Sequence, residues 1–246
     1  MDAETKAKTE ELRRIINNSD NIVFFGGAGV STASNIPDFR SANGLYSKKS
    51  GLRSAPEEIL SHTFFMNHTK DFFDFYRDKM IYTEAKPNDA HLALAKLEQA
   101  GKLKAVITQN IDGLHQMAGS KNVLELHGSV HRNYCMKCRK FFDLNYIIQS
   151  EGIPVCDACH GVVKPDVVLY EEGLDNDIIN RSVDYIRNAD VFIVGGTSLT
   201  VYPAAGLINY YRGRKLVLIN KTETPFDSRA GLAIYGNIAQ VLHHAV

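Results

Sequence analysis

The chain has 246 residues and no net formal charge, and 44% of its side chains are apolar against 23% that are charged. This composition is typical of a globular protein with one large domain, or with one domain that carries an inserted module. The neutral charge balance disfavours a dedicated nucleic-acid-binding protein, and no apolar run reaches the length of a membrane span. Because the N-terminus, MDAETKAKTEELRR, is too charged for a signal peptide, we expect a cytoplasmic protein.

The predicted elements alternate between helices and apolar strands. In chain order they are a helix at 3–18, a strand at 22–25, a helical stretch at 62–80, a helix at 89–99, strands at 105–107, 123–126 and 167–170, a helix at 177–187, a strand at 191–194, a helix at 203–212 and a strand at 216–219. Apolar strands that alternate with helices predict an α/β fold with a parallel sheet and helices on both faces.

The first predicted strand runs into a glycine-rich turn. Gly26, Gly27 and Gly29 are followed by hydroxyl residues that can cap a helix. Free backbone N–H groups at such a turn favour phosphate binding over a purely structural role. A hydride-transferring dehydrogenase is disfavoured, because Thr32 replaces the third glycine of the dinucleotide fingerprint and no acidic residue ends an adjacent strand to hold a ribose.

Polar or glycine-rich segments follow five of the predicted strands. They are GGAGVS, TQNIDGLH, HG, GGTS and the single residue Asn220. The carboxyl ends of parallel strands lie at one edge of a sheet, and open α/β sheets bind their ligands there. The sequence therefore predicts an elongated ligand that lies across this edge.

The four cysteines form two CxxC pairs. Cys135 and Cys138 are separated by 17 residues from Cys156 and Cys159, which is the spacing of a zinc ribbon. A closed shell of four thiolates has no open position, so we expect structural zinc. A redox pair would need one exposed thiol of low pKa and makes poorer use of all four cysteines.

Three polar residues stand at the predicted ligand edge. His127 lies between a buried strand and Gly128, where a histidine can act as a general base near neutral pH or serve only in packing. Asn110 and Asp112 can bind a ligand there, or can form a turn and cap a helix. The residues by themselves leave both alternatives open.

Taken together, these motifs resemble the sirtuin family of NAD-dependent protein-lysine deacylases. The resemblance covers nearly the whole chain, through GAGVSTASNIPDFR, TQNIDGLH, ELHG, the paired CxxC motifs, KPDVVLYEE, GGTSLTVYPAA and LVLIN. It implies a large Rossmann-like domain formed by residues 1–40, 88–130 and 165–246. A helical insertion at 41–87 and a zinc ribbon at 131–164 would form a small domain.

The resemblance also implies which residues bind the cofactor NAD and the substrate. Val168 and Tyr170 would lie on a strand edge that pairs with the substrate peptide. His127, Asn110 and Asp112 would be catalytic. The implied NAD-binding residues are Ala28, Gly29 and Ser31 at the phosphate turn, Thr32, Phe39 and Arg40 at the ribose and nicotinamide end, Gln109, Asn110, Ile111 and Asp112 in the nicotinamide pocket, His127, and Thr197, Ser198, Asn220 and Ile238 near the adenosine half.

The implied reaction consumes NAD. The acyl-lysine oxygen would displace nicotinamide from the ribose C1′, while Phe39 shields the cationic sugar from water and Asp112 binds the nicotinamide amide. His127 would take a proton from a ribose hydroxyl, so that the 2′-oxygen attacks the imidate carbon. The products would be free lysine, O-acyl-ADP-ribose and nicotinamide. The partners would be acyl-lysine proteins, with neither a membrane nor direct nucleic-acid binding expected.

The chain departs from the family pattern in two places. Many relatives have Phe-Gly-Glu after the peptide-binding strand, where this chain has Tyr170-Glu171-Glu172. Relatives that remove succinyl or malonyl groups have Tyr-x-x-Arg in the acyl pocket, where this chain aligns Phe73 and Tyr76. A carboxylate-tipped acyl chain would be buried there without a guanidinium partner, so we expect a preference for acetyl and other uncharged acyl groups.

Three other functions remain open from the sequence. One is mono-ADP-ribosyl transfer from the same NAD site, and another is a non-catalytic NAD-sensing module, which the presence of His127 with Asn110 and Asp112 disfavours. The third is nucleic-acid binding by the zinc ribbon. We expect the basic residues of that segment to form a solvated face; they are Arg132, Lys137, Arg139 and Lys140.

Overall fold

The computed structural model describes residues 1–38 and 55–246. Phe39, Arg40 and the first part of the predicted helical insertion lie outside the described residues. The helices are α1 (Ala3–Asn17), α2 (Pro56–Ile59), α3 (His62–Asn67), α4 (Thr69–Lys79), α5 (Asp89–Gln99), α6 (Leu114–Met117), α7 (Leu144–Gln149), α8 (Asn176–Asn188) and α9 (Ile238–Ala245). The strands are β1 (Ile22–Gly26), β2 (Leu103–Thr108), β3 (Val123–Glu125), β4 (Gly128–Cys135), β5 (Phe141–Phe142), β6 (Val163–Val167), β7 (Val191–Gly195), β8 (Lys215–Asn220) and β9 (Leu232–Tyr235).

The larger sheet has six parallel strands in the order β3-β2-β1-β7-β8-β9. Its register aligns the carboxyl ends of the strands: Gly26 lies opposite both Thr108 and Gly195, and Thr108 lies opposite Glu125. The predicted parallel α/β sheet is therefore confirmed. The glycine-rich and polar segments that follow these strands start from one edge.

The two faces of this sheet bury separate apolar cores. Ile22 and Phe24 of β1 point to the core formed with α1, α5 and α9, whereas Val23 and Phe25 point to the core formed with α8. This alternation follows from the two-residue period of a strand, and it explains why a continuous apolar run can be buried on both faces. No helix among the described residues is long and apolar enough to cross a membrane.

A second, three-stranded sheet contains the cysteine segment. Its order is β5-β4-β6, and both pairings are antiparallel. Its core combines aromatic side chains of α4, among them Phe72, Phe73 and Tyr76, with Cys135 and Val163 of the sheet. The helical stretch and the cysteine segment thus share one core, while the domain boundaries remain a prediction.

The structure corrects three predicted elements. The strand predicted at 167–170 is wrong: the strand is β6, Val163–Val167, and it belongs to the smaller sheet. Its buried residues alternate with half-buried Lys164 and Asp166, so the apolar run that follows it did not mark the strand. The helix predicted at 203–212 is a 3₁₀ helix, Ala204–Tyr210. The helix start predicted after Gly29 consists of two 3₁₀ turns instead.

Candidate active site

The loops that follow β1 and β7 pack directly against each other. A Cβ atom on Gly27 would lie 2.8 Å from the Thr197 Cβ atom, and one on Gly29 would lie 2.8 Å from the Gly196 Cα atom. The Gly29 N–H donates to the Gly196 carbonyl at 2.8 Å. The glycines are therefore required for this contact between loops. Within the described ranges nothing accepts from the Ala28 amide, which stays available to an anion.

Three predicted site residues from two loops form one hydrogen-bonded group. The Ser31 hydroxyl donates to the Asp112 Oδ2 atom at 2.6 Å, and the Asn110 amide donates to the Ser31 Oγ atom at 3.0 Å. The Leu114 N–H donates to the other carboxylate oxygen of Asp112 at 2.9 Å. Burial raises the pKa of Asp112, whereas the hydrogen bonds from Ser31 and Leu114 lower it. The group holds a polar carboxyl in a fixed orientation.

His127 has a defined tautomer. Its Nδ1 atom lies 2.9 Å from the Gln109 carbonyl oxygen. Because a carbonyl oxygen only accepts, Nδ1 carries the proton and Nε2 keeps its lone pair. Burial lowers the pKa of His127, and the hydrogen bond to Gln109 opposes that effect. The side chain is therefore suited to accept a proton at Nε2 at neutral pH.

The residues predicted near the adenosine half gather at the ends of β7 and β8. The Asn220 amide donates to the Thr197 carbonyl at 3.3 Å, and the Gln109 amide donates to the Thr197 hydroxyl at 3.1 Å. The Ser198 hydroxyl bonds with that of Thr200 at 2.8 Å. Ile238 packs against the carboxyl end of β7, where a Cβ atom on Gly195 would meet its side chain.

Thr32 and Ile111, the remaining predicted NAD-binding residues within the described ranges, lie in the loops after β1 and β2. The Thr32 hydroxyl donates to the Gly29 carbonyl at 3.0 Å, and the Ile111 carbonyl accepts from the Val130 N–H at 3.0 Å. The carboxyl edge of the sheet thus carries the free Ala28 amide, several hydroxyl groups, the buried Asp112 carboxyl and the His127 imidazole. This donor set fits an elongated dinucleotide.

The peptide-side segment is engaged mostly with its own chain. The Val168 N–H donates to the His127 carbonyl at 3.0 Å, and the Tyr170 N–H donates to the Leu60 carbonyl at 2.9 Å. The Leu169 N–H donates to the Glu172 carboxylate at 2.9 Å. These amides are not available to a peptide strand, so the pairing of Val168 and Tyr170 with a substrate remains a prediction.

The residues that depart from the family pattern tie this segment to α3. Glu171 has a positive φ of 75°, and its carboxylate accepts from the Thr63 N–H at 2.8 Å, at the start of the helix. Glu172 lies 2.9 Å from the His62 Nδ1 atom and 3.1 Å from the Lys164 Nζ atom. The two acidic side chains therefore hold the loop after β6 against the helical stretch.

The four cysteines form a site that fits zinc. The Cys135 and Cys159 Sγ atoms lie 3.4 Å apart, those of Cys138 and Cys156 lie 3.6 Å apart, and all four lie within 4.8 Å of one another. Tetrahedral zinc with Zn–S bonds of about 2.3 Å places its sulfur atoms about 3.8 Å apart. The Cys138 N–H points to the Cys135 sulfur and lowers the pKa of that thiol, which favours the thiolate.

Three polar residues beside the active-site loops had no binding or catalytic role predicted from the sequence. They are Glu125, His131 and Arg132. Glu125 is 6% exposed, and its carboxylate accepts from the Arg132 guanidinium at 2.5 Å. The His131 Nε2 atom lies 3.1 Å from the Asp112 carbonyl oxygen. An acidic residue inside the apolar run VLEL was the one signal that could have suggested a buried partner.

Comparisons with known proteins agree with this geometry. The sequence model of the Sir2 family matches residues 27–203. The NAD-dependent protein deacetylase of Clostridium acetobutylicum is 65% identical over 240 residues, which cover 97% of this chain and 98% of the relative. That of Clostridium tetani is 66% identical over 234 residues and 95% of each chain.

Solved structures give the same result. A Sir2 complex with deacetylated p53 peptide and 3′-O-acetyl ADP ribose superposes with a TM-score of 0.87, at 40% identity, over 96% of each chain. The structure of Sir2 bound to acetylated peptide has a TM-score of 0.84, at 39% identity, over 95% of each chain.

Proposed function

This chain belongs to the Sir2 family, and we infer that it is an NAD-dependent protein-lysine deacetylase. The observation that carries the inference is the His127 imidazole at the sheet edge that also holds Asp112 and the glycine turn. Its Nδ1 atom is bonded to the Gln109 carbonyl, and its Nε2 atom has no partner among the described residues. The acetyl group would pass to ADP-ribose, so the enzyme acts as an acyl transferase, and the products are nicotinamide, O-acetyl-ADP-ribose and free lysine.

Each residue of the site has a proposed role. NAD would supply the ribose carbon that loses nicotinamide and accepts the acyl oxygen. His127 would take a proton from a ribose hydroxyl at Nε2, and the Gln109 carbonyl holds the tautomer that this step needs. Asp112 would bind the nicotinamide amide, with Ser31 and Asn110 orienting its carboxyl. The Ala28 amide at the glycine turn would bind phosphate.

Other NAD contacts follow the geometry of the strand ends. We propose that Thr197, Ser198, Asn220 and Ile238 hold the adenosine half, since they cluster at the ends of β7 and β8.

The four cysteines would hold one zinc ion that stabilises the smaller sheet and takes no part in the chemistry. Reduced thiols are needed for that site, which supports the proposed cytoplasmic location. The expected lack of nucleic-acid binding remains a prediction.

The contacts of α4 support a preference for uncharged acyl groups. Phe73 and Tyr76 are fully buried in the smaller core. The Arg77 guanidinium donates to the Ile147 carbonyl at 3.0 Å and to the Gly152 carbonyl at 2.6 Å, so it is committed to the cysteine-containing segment. No free guanidinium on this helix then remains to pair with a succinyl carboxylate. We propose that acetyl and other uncharged acyl groups are preferred.

The test is mass spectrometry of the products formed from NAD and matched acetyl-lysine and succinyl-lysine peptides. We expect O-acetyl-ADP-ribose and free lysine, with acetyl removed faster than succinyl. His127→Ala should lower kcat by about 10²–10⁴-fold, the usual contribution of a general base, while calorimetry still detects NAD binding. Labelled protein in place of O-acetyl-ADP-ribose would favour mono-ADP-ribosyl transfer. Turnover of His127→Ala within threefold of the parent would exclude the proposed base.

A further inference from the structure

The smaller sheet contains a three-residue bulge beside the candidate active site. In the pairing of β4 with β6, Ser129 lies opposite Asp166 and Asn133 lies opposite Pro165. Residues 130–132 are therefore skipped in the register between β4 and β6, although their neighbours on either side are paired. Bulges next to active sites commonly redirect side chains. We call these three residues the β4 bulge.

Each residue of the β4 bulge contacts a loop or strand end of the larger sheet. The Val130 N–H donates to the Ile111 carbonyl at 3.0 Å. The His131 Nε2–H donates to the Asp112 carbonyl at 3.1 Å, and its ring lies against Gly113, where an added Cβ atom would be 2.7 Å away. The bulge thus holds the backbone of the loop whose side chain is the buried carboxyl of the site.

Arg132 makes the third contact and carries charge. Its Nη1 atom lies 2.5 Å from the Glu125 carboxylate, and its Nε atom lies 2.8 Å from that of Asp166 on β6. Glu125 is 6% exposed and also accepts from the Gln116 amide at 2.8 Å. Glu125 is the last residue of β3, two residues before His127. Arg132 therefore joins the end of this strand to the smaller sheet.

The ion pair between Arg132 and Glu125 affects the ionisation of Asp112. Burial is the largest cause that raises the pKa of Asp112; the Glu125 carboxylate adds a smaller increase, and His131 opposes it. The guanidinium of Arg132 balances Glu125, and Asp166 is its second acidic partner. Loss of Arg132 would leave a buried carboxylate without its counter-ion beside the site, which costs far more than loss of an exposed ion pair.

We propose that the β4 bulge positions the catalytic loops, with His131 and Arg132 as positioning residues that hold Asp112 and the strand end before His127. This inference rests on the proposed deacetylase function. From the sequence, Arg132 is expected to belong to a solvated basic face. It takes a positioning role instead, because its guanidinium is paired with the buried carboxylate of Glu125. The bulge also connects the larger sheet to the cysteine cluster, since β4 ends at Cys135.

The test compares four variants with the parent: Arg132→Met, His131→Phe, the double variant Arg132→Met with Glu125→Gln, and Arg139→Met. Arg139 stacks on Tyr134 in the same sheet, so its replacement removes an equal charge and serves as the matched control. Zinc content and thermal melting identify folded protein. Steady-state assays with NAD and an acetyl-lysine peptide then give kcat, KM for NAD and the pH profile of kcat.

Arg132→Met should lower kcat at least tenfold and move the acid limb of its pH profile to higher pH, because the unbalanced negative charge of Glu125 favours the protonated forms of both His127 and Asp112. The double variant should recover the parent pH profile while its kcat stays at least threefold low, because the charge is balanced but the tether is lost. His131→Phe keeps the ring against Gly113 and loses the hydrogen bond, so KM for NAD should rise at least threefold. A role in folding alone would lower the melting temperature without moving the pH profile.

Folded, zinc-containing Arg132→Met that matches Arg139→Met in kcat and pH profile would overturn the inference. If Arg132→Met does not fold, the double variant tests the inference in its place, because Glu125→Gln removes the carboxylate that would be buried without a counter-ion. Parent kcat in the double variant, together with a parent KM for NAD in His131→Phe, would also overturn it. A parent enzyme with no deacetylase activity would refute the proposed function instead, so the two failures are distinguishable.

Discussion

Two buried histidines beneath the active-site loop should make this protein sensitive to acid. His91 of α5 and His115 of α6 are 0% and 1% exposed, and their rings meet edge to face with centroids 4.7 Å apart. Among the described residues, neither nitrogen of His115 has a hydrogen-bond partner, nor does the Nε2 atom of His91. Both rings are therefore held neutral in an environment that cannot stabilise a charge.

The structure sets the size and direction of the effect. Burial lowers the pKa of His91 from 6.5 to about 4, and burial together with His91 lowers that of His115 well below 6.5. The unfolded chain, with ordinary histidines, binds more protons than the folded protein below pH 6.5. The stability that these two neutral histidines contribute is therefore present above that pH and is lost as the pH decreases toward 4. His91 alone accounts for a loss of about 2 kcal/mol by pH 5 and about 3 kcal/mol by pH 4.

Urea unfolding at pH 7.5 and pH 5.0, with zinc in excess, measures this loss. His115→Phe retains an aromatic ring against His91 and Phe24 and removes a side chain with no hydrogen bonds, so it should lose less stability between the two pH values than the parent. His91→Gln should do the same and serves as the second variant. His243→Gln, on the exposed face of α9, should behave like the parent. An equal pH dependence in all four proteins would refute the reasoning.

Two further predictions concern the backbone and the metal. Gly128→Ala should cost more than about 4 kcal/mol, because φ is 74° and a Cβ atom would lie 1.8 Å from the Asp166 carbonyl oxygen. Gly101→Ala, with φ of 72° and open space around it, should cost about 1 kcal/mol, and equal losses in urea unfolding would contradict the steric argument. Cys138→Ser should abolish tight zinc binding and lower the melting temperature, which metal analysis and calorimetry measure. Full zinc occupancy in that variant would show that the four thiolates do not act as one site.

Local patterns predicted five of the six strands of the larger sheet, because each of these five contains a short apolar run that is largely buried. They missed β9, Leu232–Tyr235, where buried residues alternate with half-buried Ala233 and exposed Tyr235. They failed at β6, where Lys164 and Asp166 interrupt the apolar residues and the following run, Val168–Tyr170, lies outside the sheet. The strand β4 was missed for a related reason. Its sequence, GSVHRNYC, is polar because three of its residues bulge toward another part of the molecule.

Local sequence was enough to predict the parallel sheet, the cluster of four cysteines and the family. Each depends on residue type at a fixed spacing, as in the two CxxC pairs, or on the short period of apolar runs. Tertiary structure alone decided that Nδ1 of His127 carries the proton, that Ser31 binds Asp112 and that Arg132 pairs with Glu125. These facts depend on atoms that different strands bring within hydrogen-bonding distance, and no spacing along the chain encodes such a distance.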